Sequence, residues 1–428
     1  MASFQLDDQV LVQETMFVGT LTLNRPRQLN TLSLEMISQL SELFLAYEDD
    51  VNAKLIILKG RGRAFCAGGN LAAVHRHFLE GNLKYGEKVS QKIINLTYLI
   101  ATYSKPQASM QLISIMSSFE ICTRSFHIIS FNTIFCYLFI KTKQVSILNG
   151  IAMGAGVGIS VHGKFRVATE NSIFATPENG LGFFPNVGAS YFLSRLPGYF
   201  GEYLGLTGAR LDGGEMVACG LATHFVPSAK LPLLEKALIS RAASATSSSF
   251  DLAFISAIID EHSLQQPALN EKSALHKMNV IDKCFSRPTV EDILSALERE
   301  AEEAHMADDD HRHEWLALTI RLLKKASPMS LKICLRSIRE GRVQAIDECL
   351  VREYRITSHI LRGQISKDFR EGCRAIVWDK DKKPKWKPSS LELITDHMVD
   401  HYFSKLDGDE ELKLPQRSNL PAFANAKL

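Results

Sequence analysis

The amino-acid sequence predicts an α/β protein in which a core of strand, glycine-turn and helix units is followed by a helical region. Two observations support this prediction. An apolar strand, a glycine-rich turn and the start of a helix follow one another at 53–71, and the same succession occurs again at 146–160. From residue 251 onward, apolar positions recur with the period of amphipathic helices. We therefore expect a core at 1–250 and a helical region at 251–428 that ends in an unstructured tail.

The N-terminal elements follow from local patterns. Residues 9–24 alternate apolar and polar, and the break at Asn24-Arg25-Pro26 predicts the end of a two-stranded hairpin. Ser33 is placed to cap the next helix. The apolar stripe of that helix consists of Ile37, Leu40, Leu43 and Phe44. The uninterrupted apolar run at 53–60 predicts a strand that is buried on both faces.

The second half of the chain is predicted to be mostly helical. Short helices separated by glycines are expected at 190–196, 201–206 and 213–219, with a strand or turn at 221–226. Longer amphipathic helices are expected at 290–304, 313–325, 330–339 and 344–361. The tract 300–313 is rich in His and Asp, but its spacing fits no zinc site, so we interpret it as a solvated loop.

Composition is that of a soluble globular enzyme. Apolar residues make up 46% of the 428 positions and charged residues 22%. A net charge of +2 argues against nucleic acid as the main partner. The eight cysteines are scattered and contain no CxxC pair, which is typical of a reduced intracellular chain. No metal and no separate cofactor are expected.

The two ends of the sequence bear on localisation. The first residues carry two Asp and no basic residue before Arg25, so they fit neither a secretory signal nor a transit peptide. The last three residues, Ala426-Lys427-Leu428, are close to the Ser-Lys-Leu peroxisomal address. We interpret them as a ligand of the peroxisomal import receptor and expect a peroxisomal protein. A chance match, with a mitochondrial or cytosolic protein, is the alternative.

The segment 108–144 is anomalous in composition. Its 37 residues include no Gly, Pro or Asp. Its uncharged part, 128–140, is shorter than the roughly 20 residues that cross a bilayer, so no membrane span is expected. A buried helix or strand pair is one interpretation. Because 104–107 would join 145–148 smoothly without it, our hypothesis is a translated intron or gene-model error.

One stretch, 145–188, combines the features of an acyl-transfer site. It begins with an apolar run and the glycine turn Gly154-Ala155-Gly156-Val157-Gly158. A single carboxylate, Glu178, follows in a Pro-Glu-Asn-Gly turn, and a further turn occupies 184–188. Glycines expose backbone N–H groups, and such groups beside a carboxylate suit acyl chemistry better than core packing.

Several motifs together resemble a known superfamily. The blocks that carry the resemblance are Leu23-Asn24-Arg25-Pro26, 29–32, 64–69, Asn149-Gly150 and 154–156. They are similar to the crotonase (enoyl-CoA hydratase/isomerase) superfamily. Further blocks resemble its 3-hydroxyisobutyryl-CoA hydrolase branch, most of all the peroxisomal plant members, namely Glu178, Gly182, 184–188, 191–196, 327–332, 353–355, 368–375, 379–380 and 384–386.

The resemblance implies a fold and an activity. The fold would be the crotonase spiral of repeated strand–strand–helix turns, covered by a helical C-terminal region. The activity would be hydrolysis of 3-hydroxyisobutyryl-CoA in valine breakdown, with CoA as part of the substrate. Members of the superfamily often assemble as trimers, but this branch need not, so the resemblance leaves the oligomeric state open.

The resemblance also implies roles for individual residues. The N–H groups of Gly69 and Ala155 would form an oxyanion hole for the thioester carbonyl. Glu178 would act as nucleophile or as general base. The remaining substrate-binding positions would be Ala67, Gly68, Asn70, Gly154 and Gly182.

This sequence departs from the family pattern at four places. Asn186, the second catalytic position, stands where the family has an Asp that either hydrogen-bonds the substrate 3-hydroxyl or acts as an acid or base, and Asn70 stands where the family has another Asp. Lys92-Ile93 replaces an acidic pair. Gly158 occupies the position of the second glutamate of generic hydratases, which argues against a hydratase or isomerase. Because an amide cannot take up a proton, Asn186 leaves open a CoA-thioester binding protein of low activity.

Overall fold

The structure, a computed structural model, describes residues 8–15, 17–50, 52–103, 143–245, 250–265, 267–407 and 410–417. Its strands are β1 (Val10–Thr15), β2 (Val18–Leu23), β3 (Leu55–Gly60), β4 (Ala64–Cys66), β5 (Gln144–Leu148), β6 (Ile151–Met153), β7 (Phe165–Ala168), β8 (Ile173–Ala175), β9 (Leu211–Asp212) and β10 (His224–Phe225). The helices of the core region are α1 (Leu34–Asp49), α2 (Leu71–Leu79), α3 (Leu83–Ala101), α4 (Ala155–Gly158), α5 (Ala189–Leu193), α6 (Phe200–Thr207), α7 (Gly213–Ala218) and α8 (Leu231–Ser244).

The C-terminal region is helical in the described ranges. Its helices are α9 (Leu252–Asp260), α10 (Met278–Phe285), α11 (Val290–Met306), α12 (Asp310–Lys325), α13 (Pro328–Gly341), α14 (Ile346–Arg362), α15 (Asp368–Gly372) and α16 (Asp396–Phe403). A π-helical turn, Cys373–Trp378, continues α15. Single 3-10 turns occur at Pro26–Gln28, Glu178–Leu181, Ser228–Lys230, Ala274–Lys277 and Leu391–Leu393.

Successive strands alternate between two sheets, which produces a spiral. The larger sheet has the order β1-β2-β3-β5-β7-β10, with an antiparallel β1–β2 hairpin and parallel neighbours thereafter. The smaller sheet has the order β4-β6-β8-β9. Each pair β3–β4, β5–β6 and β7–β8 therefore gives its first strand to the larger sheet and its second to the smaller one. The predicted α/β spiral with a helical C-terminal region is confirmed.

Local sequence explains why these elements form. The Ser33 side chain accepts a hydrogen bond from the backbone N–H of Met36 at 3.1 Å and so caps α1, as expected. In the predicted stripe, Ile37, Leu40 and Phe44 are fully buried. Strand β3 is buried on both faces from Leu55 to Leu58, which explains its uninterrupted apolar run.

The predicted loop at 300–313 is wrong. Helix α11 extends to Met306 and α12 begins at Asp310, so three residues connect them. The side chain of Asp309 accepts a hydrogen bond from the backbone N–H of Arg312 at 3.1 Å and caps α12. An N-cap aspartate explains a helix start inside a tract that composition alone marked as a loop.

The C-terminal helices pack directly on the core. Helix α14 packs against α3 and α5, while α13 packs against α5 and α6. Among the described helices, none is long and apolar enough to cross a membrane. Residues 108–142 of the anomalous segment lie outside the described residues. Gln144, which the sequence analysis assigned to that segment, is the first residue of β5 and pairs with Ile56.

Candidate active site

The two glycine turns of the sequence meet in space. Gly68 has a φ of +104°, and a Cβ at this position would lie 3.3 Å from the carbonyl oxygen of Met153 and 3.7 Å from the nitrogen of Ala155. Gly154 has a φ of +51°, and its Cβ would lie 3.6 Å from the Cα of Gly68. Both backbones adopt conformations that L-residues with a side chain rarely take. The φ angles favour glycine at both positions, and the distances show that the two turns are in contact.

Two backbone donors remain unused where the turns meet. Beside Gly69, the Leu32 N–H donates to the Gly68 carbonyl at 2.8 Å, and the Asn70 N–H donates to the Leu32 carbonyl at 3.1 Å. The N–H of Gly69 has no hydrogen-bond acceptor in the described part of the chain. Ala155 is the first residue of α4, so its N–H has no acceptor within the helix. Both residues line the same cavity.

Glu178 lies beside these turns and is buried. Its Oε1 is 3.2 Å from the position that a Cβ would take on Gly154. Its Oε2 has no hydrogen-bond partner within the described ranges. Burial raises the pKa of this carboxyl group to about 7. The side chain can therefore exchange a proton near neutral pH, which suits a base or nucleophile.

The cavity that contains Glu178 has an empty volume of about 930 Å³, its mouth included. Its apolar lining comes from α2, α3 and the turn after β8, and also from the C-terminal region: Leu71, Val74, Val89, Ile93, Leu181, Phe183, Leu361 and Phe369. Among the described lining residues, Glu178 is the only ionisable one. Such a cavity suits a small acyl group and presents one carboxylate to it.

The structure brings most of the predicted site residues together. The following line the cavity: Ala67, Gly68, Gly69, Asn70, Gly154, Ala155, Glu178 and Asn186. The Oδ1 of Asn70 also accepts a hydrogen bond from the Ala73 N–H at 3.2 Å and caps α2. Asn and Asp are both good N-caps, which explains why Asn is compatible with this turn.

Gly182 is the exception. It does not line the cavity, and a Cβ at this position would lie 2.3 Å from the carbonyl carbon of Asp368 in α15. Its φ is +67°. The substrate contact of Gly182 stays a prediction, and what the structure shows is that its lack of a side chain lets α15 pack on the turn that carries Glu178.

The turn that carries Asn186 is braced by residues from elsewhere in the chain. Val187 follows with a φ of +58°, which is rare for a β-branched residue. Its carbonyl oxygen lies 3.3 Å from Nε2 of His162. The carboxylate of Glu353 accepts hydrogen bonds from the N–H groups of Gly188 at 2.6 Å and Ser190 at 2.9 Å, and from the Ser190 hydroxyl at 2.6 Å.

Sequence reasoning gave Glu353 no role of its own. The signal that could have found it is a carboxylate on the apolar face of an amphipathic helix, with Leu350 and Ile360 on α14. A buried charge in that position needs partners, and the N–H groups of a glycine turn can supply them.

The comparisons with known proteins agree with this geometry. The model of the enoyl-CoA hydratase/isomerase family matches residues 18–112 and 131–403. The chain belongs to this family. It is 54% identical over 420 residues to 3-hydroxyisobutyryl-CoA hydrolase 1 of Arabidopsis thaliana, covering 98% of each chain. It is 38% identical to the mitochondrial 3-hydroxyisobutyryl-CoA hydrolase of Rattus norvegicus, covering 95% of this chain and 91% of that protein.

A solved structure supports the same fold. The chain superposes on a carnitinyl-CoA dehydratase from Mycobacterium thermoresistibile with a TM-score of 0.75 and 30% sequence identity. The match covers 96% of this chain and 100% of that chain. The match therefore includes both the spiral core and the C-terminal helices of this chain.

Gly158 is the position at which the resemblance would place the second glutamate of a generic hydratase. A Cβ at Gly158 would lie 2.7 Å from both Cβ and Cγ2 of Val187. The space that a second glutamate would need is therefore filled by Val187, whose positive φ is part of the braced turn. Lys92, in place of an acid, donates to the Ser38 hydroxyl at 2.9 Å, and Ile93 lines the cavity.

Proposed function

We propose that this chain hydrolyses 3-hydroxyisobutyryl-CoA to 3-hydroxyisobutyrate and CoA, a step of valine breakdown. One observation carries the proposal: the buried carboxylate of Glu178, whose Oε2 has no partner among the described residues, lies beside two unused N–H groups in a mostly apolar cavity. The names of its relatives in Arabidopsis thaliana and Rattus norvegicus support the same substrate.

The N–H groups of Gly69 and Ala155 form the oxyanion hole. When the thioester carbonyl is attacked, its oxygen becomes negatively charged, and two fixed donors stabilise that charge without reorganisation. Loss of one such donor costs about 3–4 kcal/mol of transition-state stabilisation. The close contact of Gly68 with Gly154 supports this role because it fixes the two donors relative to each other.

Glu178 supplies the attacking group by one of two routes. As a general base, it takes a proton from water, the hydroxide adds to the carbonyl carbon, and the protonated Glu178 returns the proton to the departing CoA sulfur. As a nucleophile, its carboxylate adds to the carbonyl carbon and expels the CoA thiolate, and water then cleaves the anhydride. The first route needs no second acid. This agrees with a cavity in which the amide of Asn186 cannot transfer a proton.

Asn186 contributes as a hydrogen-bonding group. Its amide can accept a hydrogen bond from the 3-hydroxyl of the substrate or donate one to the thioester sulfur, but it cannot transfer a proton. If the aspartate of the family transfers a proton in the reaction, Asn186→Asp should raise kcat by 10²–10⁴, the usual contribution of general acid–base catalysis. An unchanged kcat in this variant would assign Asn186 to binding.

A thiol-release assay with purified protein and 3-hydroxyisobutyryl-CoA tests the proposal. We expect turnover by the wild type and none by Glu178→Gln, which keeps the size of the side chain but cannot act as base or nucleophile. Glu348→Gln, an exposed position on α14, is the matched control and should retain activity. Undiminished turnover in Glu178→Gln would mean that another group attacks.

The absence of a second ionisable residue among the described lining residues favours one competing function, a CoA-thioester binding protein. Micromolar binding of the thioester without thiol release would support it and contradict the hydrolase. An enoyl-CoA hydratase or isomerase is the other alternative. It predicts turnover of an enoyl-CoA, which the packing of Gly158 against Val187 disfavours.

For localisation we propose the peroxisome, with Ala426-Lys427-Leu428 bound by the import receptor. Residues 418–428 lie outside the described residues, so the proposal rests on the tripeptide itself. Because a relative in Rattus norvegicus is named mitochondrial, the mitochondrion is the alternative. A fluorescent protein fused to the N-terminus should enter peroxisomes, and Leu428→Ser should abolish import. A homo-oligomer also stays a prediction, to be tested by light scattering.

For the segment 108–144 we propose a translated intron or gene-model error. Sequencing of the transcript from 105 to 145 tests this hypothesis directly, and a message without these codons would support it. Because Gln144 is part of β5, a deletion variant should remove 108–142 only. If the full-length chain is as soluble and active as this variant, the hypothesis loses its physical support.

A further inference from the structure

Two residues that line the cavity carry buried hydroxyl groups with no hydrogen-bond partner among the described residues. They are Ser90 on α3 and Thr357 on α14. Ser90 is 8% exposed and Thr357 is 2% exposed. A buried hydroxyl without a partner loses its hydrogen bonds to water and gains none in return, which is unfavourable unless a ligand supplies them.

The two hydroxyls lie on facing helices at the same level. A Cβ at Gly86 on α3 would lie 3.1 Å from Cδ2 of Leu361 on α14. At the other ends of these helices, Tyr98 packs in one cluster with Leu350, so α3 and α14 are antiparallel. Ser90 is one turn beyond Gly86, and Thr357 is one turn before Leu361. The two residues therefore lie at the same level of the packed helix pair, and both line the cavity.

This pair is also close to the proposed oxyanion hole. Ile93 Cδ1 lies 4.0 Å from the position of a Cβ on Gly69. Ser90 is three residues before Ile93 and on the same face of α3, about one helical turn, or roughly 5 Å, farther along the axis. A 3-hydroxyl group is three bonds from the carbonyl carbon of its acyl chain. It can therefore reach this part of the wall while the carbonyl oxygen occupies the hole.

We propose that Ser90 and Thr357 bind the 3-hydroxyl group of the acyl chain and make the cavity selective for 3-hydroxyacyl thioesters. The inference rests on the proposed function. A substrate hydroxyl can donate to one of these side chains and accept from the other, which leaves the Asn186 amide for the thioester sulfur. In a wall that is otherwise apolar at this level, an acyl chain without the hydroxyl would leave both groups unpaired. Sites of this kind discriminate strongly against the analogue that lacks the hydroxyl.

The test compares 3-hydroxyisobutyryl-CoA with isobutyryl-CoA, which lacks only the hydroxyl. We expect the double variant Ser90→Ala/Thr357→Val to lose about 10- to 100-fold in kcat/KM for the hydroxylated thioester. Its kcat/KM for isobutyryl-CoA should stay within about twofold of the wild type, since the removed groups have no partner in that complex. Thr97→Val is the matched control, because Thr97 is a buried, unpaired threonine on α3 that does not line the cavity.

The outcomes separate this inference from the proposed function. A wild type that hydrolyses 3-hydroxyisobutyryl-CoA, with equal losses for both thioesters in the double variant, would assign the hydroxyls a structural role and overturn the inference. A wild type that hydrolyses neither thioester would overturn the proposed function. In that case calorimetry would measure the dissociation constants of 3-hydroxyisobutyryl-CoA and isobutyryl-CoA. If their ratio is the same in the wild type and in Ser90→Ala/Thr357→Val, the inference is contradicted.

Discussion

Glu353, in the C-terminal region, forms a hydrogen bond with Gly188, which lies in the core region. The carboxylate on α14 accepts the Gly188 N–H at 2.6 Å, and Gly188 is two residues after Asn186. The same carboxylate is bonded to Ser190 at the start of α5. A residue of the C-terminal region thus fixes the turn that lines the cavity, including the strained backbone of Val187.

We predict that Glu353→Gln lowers kcat about 10- to 100-fold with a smaller effect on KM. The amide replaces one acceptor oxygen by an NH₂ group that faces a backbone donor, so the turn must move, and a shift of about 1 Å can cost a hundredfold in rate. Stability should fall by about 2–3 kcal/mol because a buried donor loses its partner. Steady-state kinetics and thermal unfolding measure both effects.

Glu348→Gln serves as the control for this variant, because Glu348 lies on the same helix but is exposed and bonds only the N-terminus of α14. If the folded Glu353→Gln variant keeps the kcat of the wild type, the hydrogen bonds of Glu353 do not position the turn.

Gly158→Glu should not convert the protein to a hydratase. The new side chain would overlap Val187, whose Cβ is 2.7 Å from the Cβ position at Gly158. We expect lost thiol release, a lower Tm and no hydration of an enoyl-CoA. Gly158→Ala alone should destabilise by about 1–3 kcal/mol through overpacking. Hydration by a folded Gly158→Glu protein would contradict our account of the turn.

Much of this architecture could be predicted because the relevant signals are local. The Ser33 cap, the buried run of β3 and the helical periods after residue 251 each depend on residues within one element. The two glycine turns were also visible, since a positive φ favours glycine, as at Gly68 and Gly154. Their convergence followed from the repeated unit and from the resemblance, not from the turns alone.

The remaining features depend on contacts between distant parts of the chain. Glu353 and Gly188 are 165 residues apart, and no local pattern connects them. The resemblance made Gly182 a predicted substrate contact, whereas the structure shows its Cβ position against the backbone of Asp368. The unpaired hydroxyls of Ser90 and Thr357 become visible only when α3 and α14 are placed side by side.

Gly182→Ala should reduce stability rather than substrate affinity. A Cβ 2.3 Å from the Asp368 carbonyl carbon forces backbone to move, and the positive φ adds strain. We expect a loss of about 2–4 kcal/mol from overpacking and strain together. Gly180→Ala in the same turn is the control, since nothing lies within 4 Å of its Cβ position. A raised KM at unchanged Tm would support the substrate-binding interpretation of Gly182.

The raised pKa of Glu178 predicts how activity and stability depend on pH. Hydrolysis requires the carboxylate, so kcat/KM should rise with pH and level off above about 7. Stability should change in the opposite direction. The folded state binds the Glu178 proton more tightly than the unfolded state, so the stabilisation is complete below pH 4.5 and is lost as pH rises through about 7.

Above that pH the buried carboxylate costs about 3 kcal/mol, since each pKa unit corresponds to about 1.4 kcal/mol. Glu178→Gln is neutral at every pH and should escape this cost. The Tm of Glu178→Gln minus that of the wild type should therefore increase between pH 5 and pH 8. Thermal unfolding of both proteins at pH 5, 6, 7 and 8 measures this difference. Parallel Tm curves would mean that Glu178 titrates as an ordinary exposed carboxyl group and is not desolvated in the folded protein.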